Sequence, residues 1–270
     1  MRELNPMDLD NCVRRLPKQL RALLREQDGK LFVAGGFIRA VIAGEKVSDI
    51  DVMASSADLA DKCCEQLAEK YSIGKAPFGY QFVGPKLNTT IHQTDNAYTL
   101  RVRPVPIQFI HRWVFDTPQA GIESFDFTIA KAALWCKNNT WHSVCADTDY
   151  DDLAAKRLIY TSPARIEEAG GSLLRVLKFY QRGYRIPLSS LSAVIARLVH
   201  SLEFEEPVKD LPESVVAHIL GGLLRAVDPR TPIDEDEATP EEDTVSEPEA
   251  EGKFTEDPAE LDEGAEDGLF

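Results

Sequence analysis

Two aspartates stand two residues apart in Asp49-Ile50-Asp51-Val52, shortly after Gly35-Gly36 and Arg39. On a strand, a period of two puts both carboxylates on one face while Ile50 and Val52 pack behind it. Ionised carboxylates placed side by side repel, and a bridging cation removes that cost. Mg2+ (or Mn2+) is the natural choice, because it takes hard oxygen ligands and completes its shell with water and phosphate oxygens. Such a centre can clamp a nucleoside triphosphate and activate an attacking hydroxyl. Gly35-Gly36 suits the other half of that ligand, since glycine lets the backbone approach an anion and a helix N-terminus offers free N–H groups. Arg39, one turn further on, adds a permanently charged fork suited to phosphate oxygens. Each element alone is commonplace; in this order and at this separation they converge on one ligand.

These residues need a scaffold, and the pattern around them predicts one. Leu31-Phe32-Val33-Ala34 reads as a short buried strand leading into Gly35-Gly36 and a short helix through Ile42 that Gly44 ends. Ser48–Met53 reads as the strand that carries the aspartates, and Ala57–Tyr71 as an amphipathic helix. Between Ala76 and Trp113 the pattern is strand-like, best at Tyr98–Val102 and Ile107–Ile110. Before all of these, Met7–Gln27 carries Leu9, Val13, Leu16, Leu20 and Leu24 at helical spacing and reads as one opening helix. From Asp151 onward helices take over, at Pro163–Gly183, Leu188–Leu202 and Glu213–Val227. The expected class is α+β: a small mixed sheet with helices packed on it, then an all-helical part.

Charge divides the chain more sharply than hydrophobicity does. The formal net charge is -15, yet residues 231–270 hold 17 Asp/Glu and one Lys, so residues 1–230 are nearly balanced and retain room for basic patches. The acidic segment has few large apolar residues and cannot offset its ordering entropy, so residues 231–270 are expected to be a disordered tail. It serves as a solubilising tail or as an arm that docks a protein partner or shields a basic groove. No run approaches the roughly 20 apolar residues that span a bilayer, so no membrane is expected and the location is read as cytoplasmic. The five cysteines, with Cys63 and Cys64 adjacent, read as reduced structural thiols. The histidines show no metal-ligand spacing.

The segment VAGGFIRAVIAGEKVSDIDVM resembles the signature of the polymerase-β-like nucleotidyltransferase superfamily, in particular the head and neck of its class II CCA-adding enzyme and bacterial poly(A) polymerase branch. The resemblance implies a mixed-sheet head followed by a helical neck. It implies that Asp49 and Asp51 hold Mg2+ and that Gly35, Gly36 and Arg39 face the triphosphate. The family usually has Asp after the arginine; here it is Ala40. Phe125-Asp126-Phe127-Thr128-Ile129 is similar to the family segment that contacts the nucleotide sugar, with Asp126 retained, Ser124 and Phe125 in place of two arginines and Ala130 in place of an Asn. Asp126 is thus a candidate catalytic carboxylate; the alternative is that it caps a helix beginning at Phe127.

Tyr150–Ile159 and then Arg165–Tyr184 resemble the lead-in and helix of the neck. Aligned through Leu174-Arg175, the family's base-selecting Asp and Arg fall on Ala169 and Ser172, so the pair that chooses C or A is missing and faithful CCA addition is not expected. Gly170-Gly171 should weaken or break the helix there, at about 1 kcal/mol per glycine. Arg165, Arg175 and Lys178 are candidate nucleotide-binding residues; Arg175, Lys178 and Arg182 would share a helix face that meets a triphosphate, an RNA backbone or only solvent.

The sequence therefore predicts a helical segment over residues 1–27, a head over 28–150, a neck over 151–230 and a tail over 231–270. The expected activity is Mg2+-dependent transfer of a nucleoside monophosphate from a nucleoside triphosphate to a hydroxyl acceptor, RNA such as a tRNA 3′ end. The alternative is a non-catalytic nucleotide-binding regulator or inhibitor that works through protein contacts.

Overall fold

A computed structural model of the chain describes residues 1–72, 91–163, 169–205 and 211–227. The expected tail, Arg165 and the stretch 76–90 lie outside the described residues.

The opening segment is two helices, α1 (Pro6–Arg15) and α2 (Lys18–Glu26), rather than the single helix that its apolar spacing suggested. The break is Pro17. A residue before proline is pushed out of the helical region, and Leu16 is extended with ψ 140°. The leucine periodicity survives the break because both helices bury the same stripe: Leu16, Leu20, Leu23 and Leu24 all enter one core.

Strand β1 (Leu31–Ala34) is buried along its whole length and leads through Gly35 into α3 (Gly36–Ile42). Strand β2 (Ile50–Ala54) begins one residue after Asp49, so only Asp51 of the aspartate pair lies within the strand proper. Helix α4 (Ala57–Ser72) follows, then β3 (Ile91–Gln93), β4 (Ala97–Leu100) and β5 (Ile107–Ile110). Helix α5 (Pro118–Glu123) and a 3₁₀ turn at Thr128–Ala130 precede the hairpin β6 (Ala132–Lys137) and β7 (Thr140–Cys145). Asn138 and Asn139 turn that hairpin with φ of 50° and 58°, the left-handed pair a tight two-residue loop requires.

Among the described residues the strands form one mixed sheet in the order β3-β4-β5-β2-β1-β6-β7. Only β2 and β5 pair in parallel; the remaining pairs are antiparallel. One face packs Val33, Ile50, Val52, Leu100, Ile107 and Phe109 against α2, α3 and α4. On the other face Phe32, Met53 and Ala133 meet Ile122 of α5.

Helices α6 (Asp149–Ala154), α7 (Ala169–Gln181), α8 (Leu188–Glu205) and α9 (Glu213–Val227) make up the later part. Gly170-Gly171 do not break α7: both lie within it, and the helix continues through Gln181. A further core joins Phe127 and Ile129 to Leu153, Val176, Phe179 and Tyr184, drawing side chains from both sides of residue 150. All five cysteines are buried thiols, and burial pushes Cys12 and Cys64 up to about 12. No helix among the described residues is long and apolar enough to cross a membrane.

Candidate active site

The site is built where β1 and β2 run side by side. Asp51 lies in register between Ala34 on β1 and Gln108 on β5, so its side chain shares the face of Met53 and points away from Val52 and Ile50. Asp49, just ahead of the strand, accepts a hydrogen bond from the Ser48 hydroxyl at 2.6 Å. Both aspartates are half-buried. Burial, followed by the neighbouring Asp49 charge, pushes the Asp51 carboxyl up to about 7, while Lys178 and Arg175 pull it the other way. The positive charges of α7 are therefore felt at Asp51.

A pocket of about 230 Å³ opens over Asp51. Trp113 and Phe125 contribute aromatic lining, Asp126 and Arg175 contribute charge, and Met53 and Phe179 contribute apolar lining. The backbone at Asp126 is fixed by Thr161, whose hydroxyl donates to the Phe125 and Asp126 carbonyls at 2.7 Å and 3.1 Å. Asp126 does not cap a helix: the 3₁₀ turn begins at Thr128 with Phe127 at its cap position and no side-chain cap bond. Its buried carboxylate instead accepts from Arg175 Nη1 at 2.7 Å and from Ser172 Oγ at 3.0 Å.

Gly35 adopts φ 76°, ψ -128°, a conformation that L side chains avoid, and its N–H donates to the Ala132 carbonyl at 2.9 Å. A methyl group there would stand 3.6 Å from the Phe125 ring, whereas one at Gly36 would meet nothing within 4 Å. The chain's backbone is thus open at Gly36. Arg39 goes elsewhere. It is only 4% exposed, forms an ion pair with Glu45, and stacks with its guanidinium carbon 5.0 Å from the centre of the Phe179 ring. Tyr184 completes the cluster by donating to Glu45 at 2.8 Å.

The structure therefore brings Asp49, Asp51, Asp126, Arg175 and Lys178 to one region, leaves Gly36 open, and directs Arg39 into a buried ion pair. Sequence reasoning missed the parts played by Ser172 and Glu45. Ser172 stands where the family's base-selecting arginine falls, and it serves as a donor to Asp126. Glu45 carried no signal, because its pairing with Arg39 and Tyr184 is tertiary.

The donor set fits a hard divalent cation. Asp49 and Asp51 offer two close carboxylates, one of them raised by burial and repulsion that a cation would relieve. Among the described residues no group of three or more His, Cys, Asp and Glu gathers to form a closed metal cage. Two carboxylates suffice for Mg2+, which commonly completes its shell with water and substrate phosphates. Asp126, engaged by Arg175 and Ser172, is not a free third ligand.

Comparison with known proteins gives two kinds of result. The family model described as "Gabija anti-defense 2 family protein" matches residues 8–156, more than half of the chain. Among solved structures, the fold matches one described as "tRNA-processing enzyme (apo form I)", with TM-score 0.50, 18% identity, and coverage of 79% of this chain and 52% of that one. The Thermotoga maritima CCA-adding enzyme complexed with tRNA matches with TM-score 0.46 and 18% identity, over 87% of this chain and 58% of that one. A complex of a CCA-adding enzyme with CTP matches with TM-score 0.48 and 19% identity, over 87% and 59% of the two chains. The chain thus spans between half and three fifths of the length of these structures. No curated protein matches it in sequence.

Proposed function

The chain belongs to the Gabija anti-defense 2 family, and on that premise we propose that it is a Mg2+-dependent nucleotidyltransferase with an anti-defence role. It moves a nucleoside monophosphate from a nucleoside triphosphate to a hydroxyl of an acceptor, RNA such as a tRNA 3′ end: the hydroxyl oxygen bonds to the α-phosphorus, the bond to the β-phosphate breaks, and pyrophosphate leaves as the hydroxyl gives up its proton. The observation that carries this reading is the carboxylate pair: Asp51, raised to about 7 by burial and by Asp49, faces a pocket with Arg175 and with Lys178 close by. A structural aspartate pair on a sheet edge has no need of a half-buried position beside two cations.

In the proposed reaction a head over residues 28–150 carries the chemistry and a neck over 151–230 supplies positive charge. Mg2+ (or Mn2+), held by Asp49 and Asp51, supplies charge neutralisation at the phosphates and lowers the cost of deprotonating the acceptor hydroxyl. The open backbone at Gly36 lets an anion approach closely. Lys178 and Arg175 balance phosphate charge, with Arg165 an additional candidate outside the described residues. Trp113 and Phe125 offer flat apolar surface for a base or ribose. Asp126 positions Arg175 in this scheme. Arg39 acts at one remove, by fixing α3 to the neck through Glu45 and Tyr184.

The test is label transfer. Purified protein is mixed with labelled nucleoside triphosphates, Mg2+ and total RNA, and the product is resolved by base and acceptor. Transfer that disappears in Asp49→Ala and in Asp51→Ala supports the enzyme.

One observation favours a second reading, a non-catalytic regulator acting through protein contacts with its acidic tail as the arm. The residue best suited to a triphosphate, Arg39, is buried on Glu45. In that case no acceptor is labelled, and binding to the partner is the same with and without the two aspartates.

A further inference from the structure

A second, larger cleft lies beside Ser48, the neighbour of Asp49. It encloses about 670 Å³, within the range of roughly 300–1,000 Å³ that ligand pockets occupy. Three cations from three separate segments line it: Lys46 before β2, Lys156 after α6 and Arg182 after α7. Pro104, Val105 and Pro106 give it an apolar wall.

The cleft carries more positive charge than its one carboxylate among the described residues can offset. That carboxylate, Glu45, is hydrogen-bonded to Arg39 and to the Tyr184 hydroxyl. Burial works against the Glu45 charge, but those two hydrogen bonds, with the Arg39 and Arg182 charges, outweigh it and hold the carboxyl below its ordinary value. Among the described residues no carboxylate lies within ion-pair distance of Lys46, Lys156 or Arg182.

Two of the cations are also held in place. The Lys156 ammonium rests 5.9 Å from the centre of the Tyr184 ring, and its backbone is turned left-handed at φ 48°. The Arg182 guanidinium lies 5.8 Å from the centre of the Phe179 ring. Ser48 joins the cleft to the aspartates, because it lines the cleft and donates to Asp49 at 2.6 Å.

We infer that this cleft seats a single nucleic-acid strand, with its phosphates on Lys46, Lys156 and Arg182 and a base against the Pro104–Pro106 wall. A cationic groove that tracks the backbone is what single strands select, since every linkage carries a negative charge, and the Pro104–Pro106 wall gives a base apolar surface to lie against. The strand's end lies toward Ser48 and hence toward Asp49, which makes it the acceptor. The acceptor role rests on the transfer reading; the binding does not.

The experiment is titration of the full chain with a labelled single-stranded RNA of roughly ten nucleotides, in EDTA and over a range of salt. The variant is Lys46→Ala with Lys156→Asn; both lysines are exposed, and asparagine tolerates the left-handed backbone. We expect Kd to rise about tenfold or more and the salt slope to shrink by about 1.4, from two phosphate contacts at about 0.7 each. Arg182→Gln should act in the same direction. An unchanged Kd and slope overturns the inference. So does a variant that loses affinity for a non-hydrolysable ATP analogue while binding RNA normally, since the cleft would then hold the triphosphate. RNA binding that depends on the lysines, alongside absent label transfer, sinks the transfer reading and leaves the cleft standing.

Discussion

Arg175 on α7 donates to the Asp126 carboxylate at 2.7 Å, and both residues line the pocket that holds Asp51. The pair ties the loop after α5 to helix α7. The Asp126 side chain is 9% exposed and Arg175 35%, so the pair is neither a surface ion pair nor a fully desolvated one.

Arg175→Met should therefore cost about 1–3 kcal/mol, mainly because the Asp126 carboxylate is left with Ser172 alone. Ser172→Ala should cost less. The two losses should not add, and a double-mutant cycle by urea unfolding reads the coupling. Strict additivity would show that Ser172 and Arg175 do not share Asp126.

Two carboxyls are raised by their surroundings and should shape stability against pH. Asp51 and the buried Asp149 are each pushed up to about 7, from a value of 3.8, with burial the leading cause in both. A raised carboxyl binds its proton more tightly folded than unfolded. Its stabilisation is complete below about 4 and is lost as pH rises through about 7. The metal-free protein should accordingly lose Tm between about pH 4 and 7, and Asp51→Asn and Asp149→Asn should each flatten the fall. Mg2+ separates them. At pH 8 it should raise the Tm of the wild type and of Asp149→Asn, and leave Asp51→Asn unmoved. An equal Mg2+ shift in Asp51→Asn and wild type would remove Asp51 from the metal site.

Arg39 offers a test of where the motif's arginine acts. Buried against Phe179 and paired with Glu45, it should matter for stability first. Arg39→Met should cost about 3 kcal/mol, the low end for breaking a buried pair, and Glu45→Gln should cost less because the amide still accepts from Tyr184. Nucleotide affinity, measured below the lowered Tm, should change little. A large loss of nucleotide affinity at unchanged stability would return Arg39 to the phosphates.

Gly121 in α5 is held small by its neighbour. A Cβ at that position would stand 2.6 Å from Cζ of Phe32, whose ring is 1% exposed. Gly121→Ala should destabilise by about 1–3 kcal/mol despite alanine's better helix propensity, through overpacking. Gly121→Ala combined with Phe32→Leu should recover part of that loss by thermal melting.

What the sequence made legible was local. The alternation Asp49-Ile50-Asp51-Val52 placed Asp51 on one face and its apolar neighbours on the other, and Leu31–Ala34 announced the buried strand beside it. Pro17 was equally local and was outweighed by a leucine periodicity that two helices share as easily as one. Where Arg39 points was not legible, because it depends on Glu45, Phe179 and Tyr184, which only the packing of the neck brings together. Asp126 could be read as a cap or as a site residue because its partners, Ser172 and Arg175, lie more than forty positions away. Ser172 itself registered as the loss of an arginine and proved to be the gain of a hydroxyl donor.

The ladder from Ala34 through Asp51 to Gln108 makes the site a matter of parity. Were β2 to slip by one residue against β1 and β5, Asp51 would turn toward α3 and α4, and Ile50 or Val52 would stand in the pocket. Ile50 and Val52 on the core side and Asp51 on the pocket side therefore fix the register together, because a slip would bury the carboxylate and turn both apolar side chains out. Selection on the alternation of that strand and selection on its aspartate are, for this fold, the same constraint.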